Sequence, residues 1–417
     1  MTASRSLAEL CARLTWADLP AAARERTKEL VLDLLGVALR GSAEPSSQPV
    51  AALVREQPPG PASLIGAGRA SGAAWAALAN GTAAHAIEMD DVTTESSLHP
   101  GVAVVPAALA VAEERGVDGA SFLAAVVAGY EVTIRIGNAL NPASAYRRGF
   151  HPTGVAGAFG AAVAAGRLLG LDAAGLTNAI GIAGTLAAGS LEYLSDGAWT
   201  KRLNAGWAAH AGVVAAGLAR GGFTGPATAL EGPLGLLHAY SDAPRPERLL
   251  ADLGQAWQVT RVSIKPYACC RYNHGLIDCV LRLRGEHALR PEQVERIRLD
   301  VLSGGALLVA DPIERKRAPA NVVDAQFSAP FAAAVALARG AAGLREYSQA
   351  SVDDPVIRGL MARTDCRRDP DLDALYPRQW PAAAEIELRD GRRLRARIDH
   401  ATGEPENPVP RAGLVEK

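Results

Sequence analysis

The chain has 417 residues, long enough for two or three domains, and its hydrophobic content of 49% is sufficient for a large buried core. Its 43 lysines and arginines almost cancel its 44 aspartates and glutamates, so no overall field attracts nucleic acid or an acidic membrane surface. We therefore expect a globular protein with no nucleic acid partner, in which local cations hold any anionic ligand.

The first residues and the apolar runs favour a cytoplasmic protein without a membrane span. Residues 1–14 have the pattern of an amphipathic helix and lack the three regions of a signal peptide. The apolar run over residues 154–166 is followed by Arg167 and is shorter than the roughly 20 residues that cross a bilayer. The five cysteines lack C-x-x-C spacing, which predicts buried thiols instead of disulfides, structural zinc or an iron–sulfur cluster.

Helical periodicity predicts a large all-α domain over residues 1–257. A first helix over residues 19–41 has Pro20 in its first turn and Gly41 at its end. Long segments rich in Ala, Val and Leu, bounded by Gly or Pro, predict further helices over residues 70–89, 102–114, 119–140, 154–169, 173–188 and 205–219. Their small side chains allow the helices to pack closely.

The pattern changes after residue 257, where we predict a smaller α+β domain over residues 258–399. Strands are predicted over residues 262–268 and 294–302, and a hairpin over residues 384–399 turns at Asp390 and Gly391. Helices are predicted over residues 275–283, 324–337 and 351–362. The fold class is therefore mainly α with a smaller α+β domain, and we expect the tail over residues 400–417 to return to the helical domain.

The segment over residues 80–106 carries the first candidate site. Glu88, Asp90 and Asp91 are predicted to close an apolar helix, and a polar loop then leads to His99. These acids lie between two Ala/Val-rich runs, where an unpaired charge is costly, so the cluster indicates function. The alternative is an acidic helix end followed by a capping loop, with His99 as a core histidine.

Two further motifs contribute an imidazole and cations. His151, in G-F-H-P-T-G, precedes a predicted helix whose positive end disfavours a charged ring, so it suits a neutral base; the alternative is a helix-entry residue that packs through its ring. Lys201 and Arg202 are predicted to lie in a Gly-bounded loop before a helix that begins near residue 205. Either cation could clamp a carboxylate, although consecutive basic residues are more often simply exposed.

The segment over residues 264–279 joins Lys265, Arg271 and His274 in one predicted strand, turn and helix. Arg271 suits bidentate carboxylate binding and His274 could donate to a leaving oxygen. The alternative is an ion pair between Arg271 and Asp278 at the helix start. The sequence contains no phosphate-binding loop, no dinucleotide fingerprint after a strand and no H-E-x-x-H motif, so phosphoryl and hydride transfer rank low.

In this order the motifs resemble those of the MmgE/PrpD family, and the resemblance covers residues 19–415. It rests on H-A-I-E-M-D-D with S-L-H-P-G, G-F-H-P-T-G, G-A-W-T-K-R-L, K-P-Y-A-C-C-R-Y-N-H-G-L-I-D, D-A-Q-F-S and G-E-P-E-N-P. The family includes 2-methylcitrate dehydratase, cis-aconitate decarboxylase and iminodisuccinate epimerase. The resemblance implies a helical domain with a lid-like α+β domain, a homodimer, and action on small carboxylic acids without a metal or an organic cofactor.

The resemblance also implies an interdomain cleft lined by Glu88, Asp91, His99, His151, Lys201, Arg271 and His274. Four positions depart from the pattern of the decarboxylases or of the family. Glu88 and Val92 stand where the decarboxylases tend to have Asp and Thr, Asn204 replaces a frequent His, and Phe331 lies near a frequent Tyr. These departures argue against decarboxylation of cis-aconitate.

We therefore predict an enzyme that removes a proton next to a carboxylate and then expels water or returns the proton. His151 is predicted as the base and His99 as the partner acid, with Asp90 or Asp91 orienting an imidazole. Lys201 and Arg271 are predicted to bind carboxylates and stabilise the enolate, and the remaining predicted substrate contacts are Glu88, Asp90, Lys265 and His274. A hydro-lyase ranks before an epimerase or isomerase, then a decarboxylase; the alternative outside catalysis is a helical binding protein.

Overall fold

The computed structural model describes residues 2–417, which form two compact units. Unit 1 contains the chain up to Tyr193, Trp199–Val262 and Arg411–Lys417, and unit 2 contains Leu194–Ala198 and Ser263–Pro410. Of the chain, 56% is helical and the strands are short, which confirms the predicted fold class of mainly α with a smaller α+β part. The terminal segment 411–417 is grouped with unit 1.

The described part of unit 1 is mainly helical and contains three short strands, besides the first residue of a strand that continues into unit 2. Its helices are α1 (Ala3–Arg13), α2 (Ala21–Gly41), α3 (Gln48–Arg55), α4 (Ala73–Ala84), α5 (Gly101–Arg115), α6 (Gly119–Leu140), α7 (Pro142–Arg147), α8 (Pro152–Leu168), α9 (Ala173–Leu186), α10 (Thr200–Arg220), α11 (Leu236–Tyr240) and the terminal α20 (Arg411–Glu416). The strands are β1 (Ala62–Leu64), β2 (Arg69–Ser71) and β3 (Val92–Thr93), and β1 pairs antiparallel with β2.

Small residues let the central helices of unit 1 approach closely. Helix α8 is buried along almost its whole length and packs against α5, α6 and α10, while α10 also packs against α4. At the crossing of α10 and α8, a Cβ on Gly212 would stand 2.6 Å from the main-chain carbon of Ala161. The Ala/Gly-rich sequence of these segments is thus the physical reason for the tight bundle.

Unit 2 contains a four-stranded sheet with helices. Strand β4 (Val262–Ser263) crosses the boundary between the units, and the sheet strands are β5 (Val294–Val301), β6 (Thr364–Arg368), β7 (Ala382–Leu388) and β8 (Arg393–Ile398). The sheet order is β6-β5-β7-β8; β5 pairs parallel with β6, and the other pairs are antiparallel. The helices are α12 (His274–His287), α13 (Ser303–Val309), α14 (Ile313–Lys316), α15 (Val322–Gln326), α16 (Ala329–Arg339), α17 (Gln349–Asp353), α18 (Pro355–Ala362) and α19 (Pro370–Asp373).

Two predicted element boundaries near the candidate site were wrong. The predicted helix over residues 70–89 ends at Ala84, so the acidic cluster lies in the loop after the helix. Glu88 has φ 58°, a left-handed conformation that a helix cannot continue. Helix α10 begins at Thr200, five residues earlier than predicted, which places Lys201 and Arg202 in its first turn instead of a loop.

Other boundaries differ because of proline, capping serine and pairing between distant strands. The predicted strand over residues 262–268 stops after Ser263, and Pro266 lacks the N–H that a longer ladder needs. The predicted helix over residues 324–337 is divided at Ser328, which caps α16, and that over residues 351–362 is divided before Pro355. Strands β1, β2, β3 and β6 were not predicted.

One helix, α6, is long and apolar enough to cross a membrane by length and composition, within residues 2–417. Its apolar window is 72% buried inside the protein, as expected for a core helix. The helix also carries a buried ion pair in which Arg135 Nε donates to Glu131 Oε2 at 2.9 Å.

We expect Gly212→Ala to lower the free energy of unfolding by about 1–3 kcal/mol, although alanine favours a helix, because the new methyl group overlaps α8. Gly217→Ala is the matched control: it lies in the same helix with no neighbouring atom within 4 Å of its Cβ, and it should stabilise the protein by up to about 1 kcal/mol. Urea unfolding followed by circular dichroism measures both. Equal effects at the two positions would contradict the packing account.

Candidate active site

Three histidines and a carboxylate meet in the loop between α4 and α5 and at the start of α8. Oδ2 of Asp90 lies 3.0 Å from Nδ1 of His85 and 2.8 Å from Nδ1 of His99. The side chains of His85 and Asp90 have no exposed surface, whereas that of His99 is 12% exposed. His99 is therefore the ring of this pair that a small molecule can reach.

His151 completes the imidazole cluster. It precedes α8, and its ring stacks on that of His85 with centroids 5.8 Å apart. The backbone N–H of His99 donates to Thr153 Oγ1 at 3.1 Å, which ties the loop to the first turn of α8. Burial, and next the positive charge of Lys201, hold the pKa of His151 well below its ordinary value. The His151 ring is thus neutral at physiological pH.

Asp91 has a supporting position, because its carboxylate points away from the imidazoles. Oδ1 accepts from the Gly101 N–H at 2.9 Å and Oδ2 accepts from the Tyr130 hydroxyl at 2.5 Å. Only its main-chain oxygen approaches His99, at 3.0 Å from Nδ1. Burial raises the pKa of Asp91 to about 7, although the hydrogen bond from Tyr130 opposes that rise.

Lys201 and Glu88 form a buried ion pair beside this cluster. Lys201 Nζ donates to Glu88 Oε1, and both side chains are almost fully enclosed. The left-handed backbone of Glu88 is strained for a residue with a side chain, and such strain is concentrated at functional sites. The pair keeps a positive charge buried next to His151, because the carboxylate of Glu88 offsets the cost of removing the lysine from water.

A second lysine supports the loop from the end of the chain. Lys417 Nζ donates to Asp33 Oδ1 at 2.6 Å and to the main-chain oxygen of Met89 at 2.7 Å. Asp33 lies on α2 and is buried, so this lysine balances its charge and fixes the backbone next to Asp90.

The other three predicted residues lie in unit 2, all buried. Lys265 Nζ donates to the main-chain oxygen of Cys269 at 3.4 Å, and His274 Nε2 lies 3.4 Å from the same oxygen. Arg271 donates to Glu404, which also faces His400 Nδ1 at 3.0 Å. The predicted alternative pair of Arg271 and Asp278 is not formed; Asp278 accepts instead from the Tyr267 hydroxyl at 2.5 Å.

The structure thus brings together six of the predicted residues in unit 1: Glu88, Asp90, Asp91, His99, His151 and Lys201. Sequence reasoning missed His85, although it begins the quoted H-A-I-E-M-D-D motif five residues before Asp90. It also missed Tyr130, whose partner Asp91 is distant in the chain, and Glu404, although Glu404 stands in the quoted G-E-P-E-N-P motif four residues after its partner His400. Asn204 was noted only as a departure from the family.

Among residues 2–417, two groups have ligand atoms spaced closely enough for a metal ion, within 4.8 Å of one another: His85 with Asp90 and His99, and His400 with Glu404 and Glu406. In the first group both imidazoles reach the same carboxylate oxygen at hydrogen-bonding distance, which accounts for the spacing without an ion.

The structure thus combines a helical unit that holds a buried imidazole–carboxylate–lysine cluster with an α+β unit. The MmgE/PrpD N-terminal domain matches residues 5–249 and the MmgE/PrpD C-terminal domain matches residues 267–417. The chain belongs to the MmgE/PrpD family.

Several curated relatives are decarboxylases or are named after them. A cis-aconitate decarboxylase of Aspergillus terreus is 30% identical, over 98% of this chain and 87% of the relative. A cis-aconitate decarboxylase-like protein of Aspergillus oryzae is 30% identical, over 88% of this chain and 80% of the relative. The cis-aconitate decarboxylase of Homo sapiens is 27% identical, over 82% of this chain and 71% of the relative. A lyase-type function at the level of the family follows from these matches.

We expect Asp91→Asn to change how stability depends on pH. Because the pKa of Asp91 is raised from 3.8 to about 7 on folding, the folded state binds this proton more tightly than the unfolded chain. Asp91 therefore lowers the free energy of unfolding progressively from about pH 4 to about pH 7, by roughly 2–4 kcal/mol, and no further above that. The stability of Asp91→Asn relative to wild type should rise over the same interval.

Urea unfolding at a series of pH values measures this difference. Asp118→Asn serves as the control, because Asp118 is an exposed helix cap whose pKa is lowered by hydrogen bonds from Ser121. Its stability relative to wild type should not rise with pH. A constant difference for Asp91→Asn would show that Asp91 is already ionised in the folded protein at low pH.

Proposed function

We propose that this protein is a lyase that acts on a small polycarboxylic acid related to cis-aconitate, by proton transfer at a carbon next to a carboxylate. The observation that carries the proposal is the arrangement of His99 on Asp90 beside a neutral His151 and a buried Lys201. These are the groups that such chemistry needs: an imidazole to move the proton and fixed donors to stabilise negative charge.

Burial strengthens the electrostatic effect of the Lys201 cation on a bound substrate. A carbanion flanked by a carboxylate is high in energy, and a fixed cation in a dry site lowers that energy more than water does. Lys201 is held by Glu88, so a substrate carboxylate that approaches Nζ shares the cation with this side chain. We propose that this pairing limits the number of substrate carboxylates that unit 1 accommodates.

Decarboxylation is the first candidate, because the relatives at 30% identity are named for it. In that reaction the carbon–carbon bond to one carboxylate breaks and carbon dioxide leaves. The electron pair of that bond passes into the carbon skeleton, and a protonated imidazole supplies one proton to carbon. The site offers the imidazole and the cation for both steps.

Elimination of water, which the sequence pattern placed first, is the second candidate. An imidazole takes the proton next to the carboxylate, the carbon–oxygen bond breaks, and the leaving hydroxide is protonated. Val92 favours this candidate, because it is buried and cannot donate the hydrogen bond of the Thr that the decarboxylases tend to have. The substrate contacts of Lys265, Arg271 and His274, the homodimer and the cytoplasmic location stay predictions.

Incubation of the purified protein in deuterated water with cis-aconitate, citrate, 2-methylcitrate and substituted succinates, followed by NMR, tests the proposal. Loss of one carboxyl group identifies a decarboxylase, and gain or loss of an alkene without it identifies a hydro-lyase. Deuterium exchange without either change indicates the epimerase alternative. No reaction with any acid would contradict the proposal and favour a binding protein.

We expect His99→Gln and His151→Gln each to lower kcat by about 10²–10⁴, the range that a positioned proton-transfer or donor group contributes. The physical reason is that each substitution removes an imidazole while keeping a polar side chain of similar length. His238→Gln is the matched control, because His238 is exposed on α11. Steady-state kinetics with the acid identified above provides the measurement; activity near wild type in either variant would remove that histidine from the site.

We expect Lys201→Met to abolish the rise in Tm that the substrate acid produces in wild type, because the buried cation is lost. Thermal melting with and without the acid measures the rise, not the absolute Tm, since the lone Glu88 carboxylate destabilises the variant. The double variant Glu88→Gln/Lys201→Met removes both charges, and Arg220→Met removes an exposed cation from the last turn of the same helix. A rise that persists in the double variant would exclude Lys201 from binding.

A further inference from the structure

Asn204 lies where it can decide which nitrogen of His151 carries the proton. Its Nδ2 is 3.2 Å from the main-chain oxygen of Ser190 and 3.3 Å from Nδ1 of His151. A carbonyl oxygen only accepts, so the nitrogen of the amide, and not its oxygen, must face Ser190. Ser190 is itself positioned by its antiparallel bridge with Phe150, next to His151.

The orientation of this amide determines the acceptor on the imidazole. The amide nitrogen carries two hydrogens, of which one goes to Ser190 and the other points to Nδ1 of His151. Nδ1 must therefore present its lone pair. A neutral imidazole has a single N–H, so the proton of His151 stands on Nε2. Burial supports this state, because it keeps the ring neutral.

His99 has the opposite arrangement. Its Nδ1 faces two acceptors, Asp90 Oδ2 at 2.8 Å and the main-chain oxygen of Asp91 at 3.0 Å. Nδ1 of His99 therefore carries a proton, and in the neutral ring the lone pair lies on Nε2. The two rings thus present different chemistry at Nε2: a basic lone pair on His99 and an N–H donor on His151.

We propose that Asn204 is a positioning residue that fixes His151 in the Nε2–H tautomer, so that His151 donates a hydrogen bond and His99 is the base. The role of the tautomer rests on the proposed function, and it exchanges the roles predicted from the sequence. His99 Nε2 takes or returns the proton, and Asp90 stabilises the imidazolium that forms. His151 donates a hydrogen bond from Nε2 to a substrate oxygen on which negative charge develops. It does not give up this proton, because the loss would leave an imidazolate.

The tautomer is measured directly in the resting protein. Long-range ¹H–¹⁵N correlation spectra of protein labelled with ¹⁵N-histidine distinguish Nδ1–H from Nε2–H rings, and His151→Gln identifies the signal among the 8 histidines. Spectra are recorded above the titration of the ring, so that neutral forms are compared. We expect Nε2–H in wild type and a switch to Nδ1–H in Asn204→Asp, whose carboxylate only accepts.

Asn141→Asp is the matched control, because Asn141 donates to Ala243 and does not contact His151. Its spectrum should show the wild-type tautomer. A wild-type ring with its proton on Nδ1, or an unchanged tautomer in Asn204→Asp, would overturn the inference. These results do not depend on turnover, so failure of the proposed function is distinguished from failure of the tautomer assignment.

Kinetics test the role of the tautomer. Where a buried carboxylate sets the tautomer of a catalytic histidine, the wrong tautomer lowers kcat by about 10⁴. The amide of Asn204 interacts more weakly, so we expect Asn204→Asp to lower kcat by about 10- to 100-fold, with a smaller change in KM. Asn204→Ala removes the preference for the Nε2–H tautomer without reversing it, so its kcat should fall less than that of Asn204→Asp. If Asn204→Asp switched the tautomer but kept wild-type kcat, His151 would not act as the donor.

Discussion

A single buried carboxylate oxygen that serves two imidazoles is the constraint on which the site depends. Asp90 has no exposed surface, and its Oδ2 faces Nδ1 of His85 and of His99. A carboxylate that has lost its water must accept hydrogen bonds from the protein, so both rings are held with their protons on Nδ1. His85, which then stacks on His151, connects this carboxylate to the second reactive ring.

The loop around Asp90 is held by contacts to several helices of unit 1. Tyr130 on α6 and the first N–H of α5 bind the Asp91 carboxylate, Lys417 binds the Met89 carbonyl, and Lys201 on α10 binds Glu88. These contacts sustain a left-handed backbone at Glu88 that would relax if the loop were free. The site is therefore preorganised, which is the condition under which fixed charges accelerate a reaction.

Opposite tautomers give His99 and His151 different roles, and these roles suit more than one reaction of a small carboxylic acid. A basic nitrogen, an N–H donor and a buried cation serve loss of carbon dioxide, elimination of water and epimerisation alike. The choice among these reactions then depends on which substrate bond lies next to the base. Glu88 and Asn204, two positions where the resemblance leads us to expect another residue, contact Lys201 and His151.

The sequence by itself determined the helical class, the α+β character of the second unit and six residues of the unit 1 cluster, because periodicity and short motifs are local signals. It could not predict the left-handed backbone at Glu88, whose side chain pairs with Lys201, more than 100 residues away in the chain. Nor could it assign the roles of the histidines. Those depend on the hydrogen-bond partners of each ring nitrogen, and Asn204 and Ser190 reach His151 only through the tertiary fold.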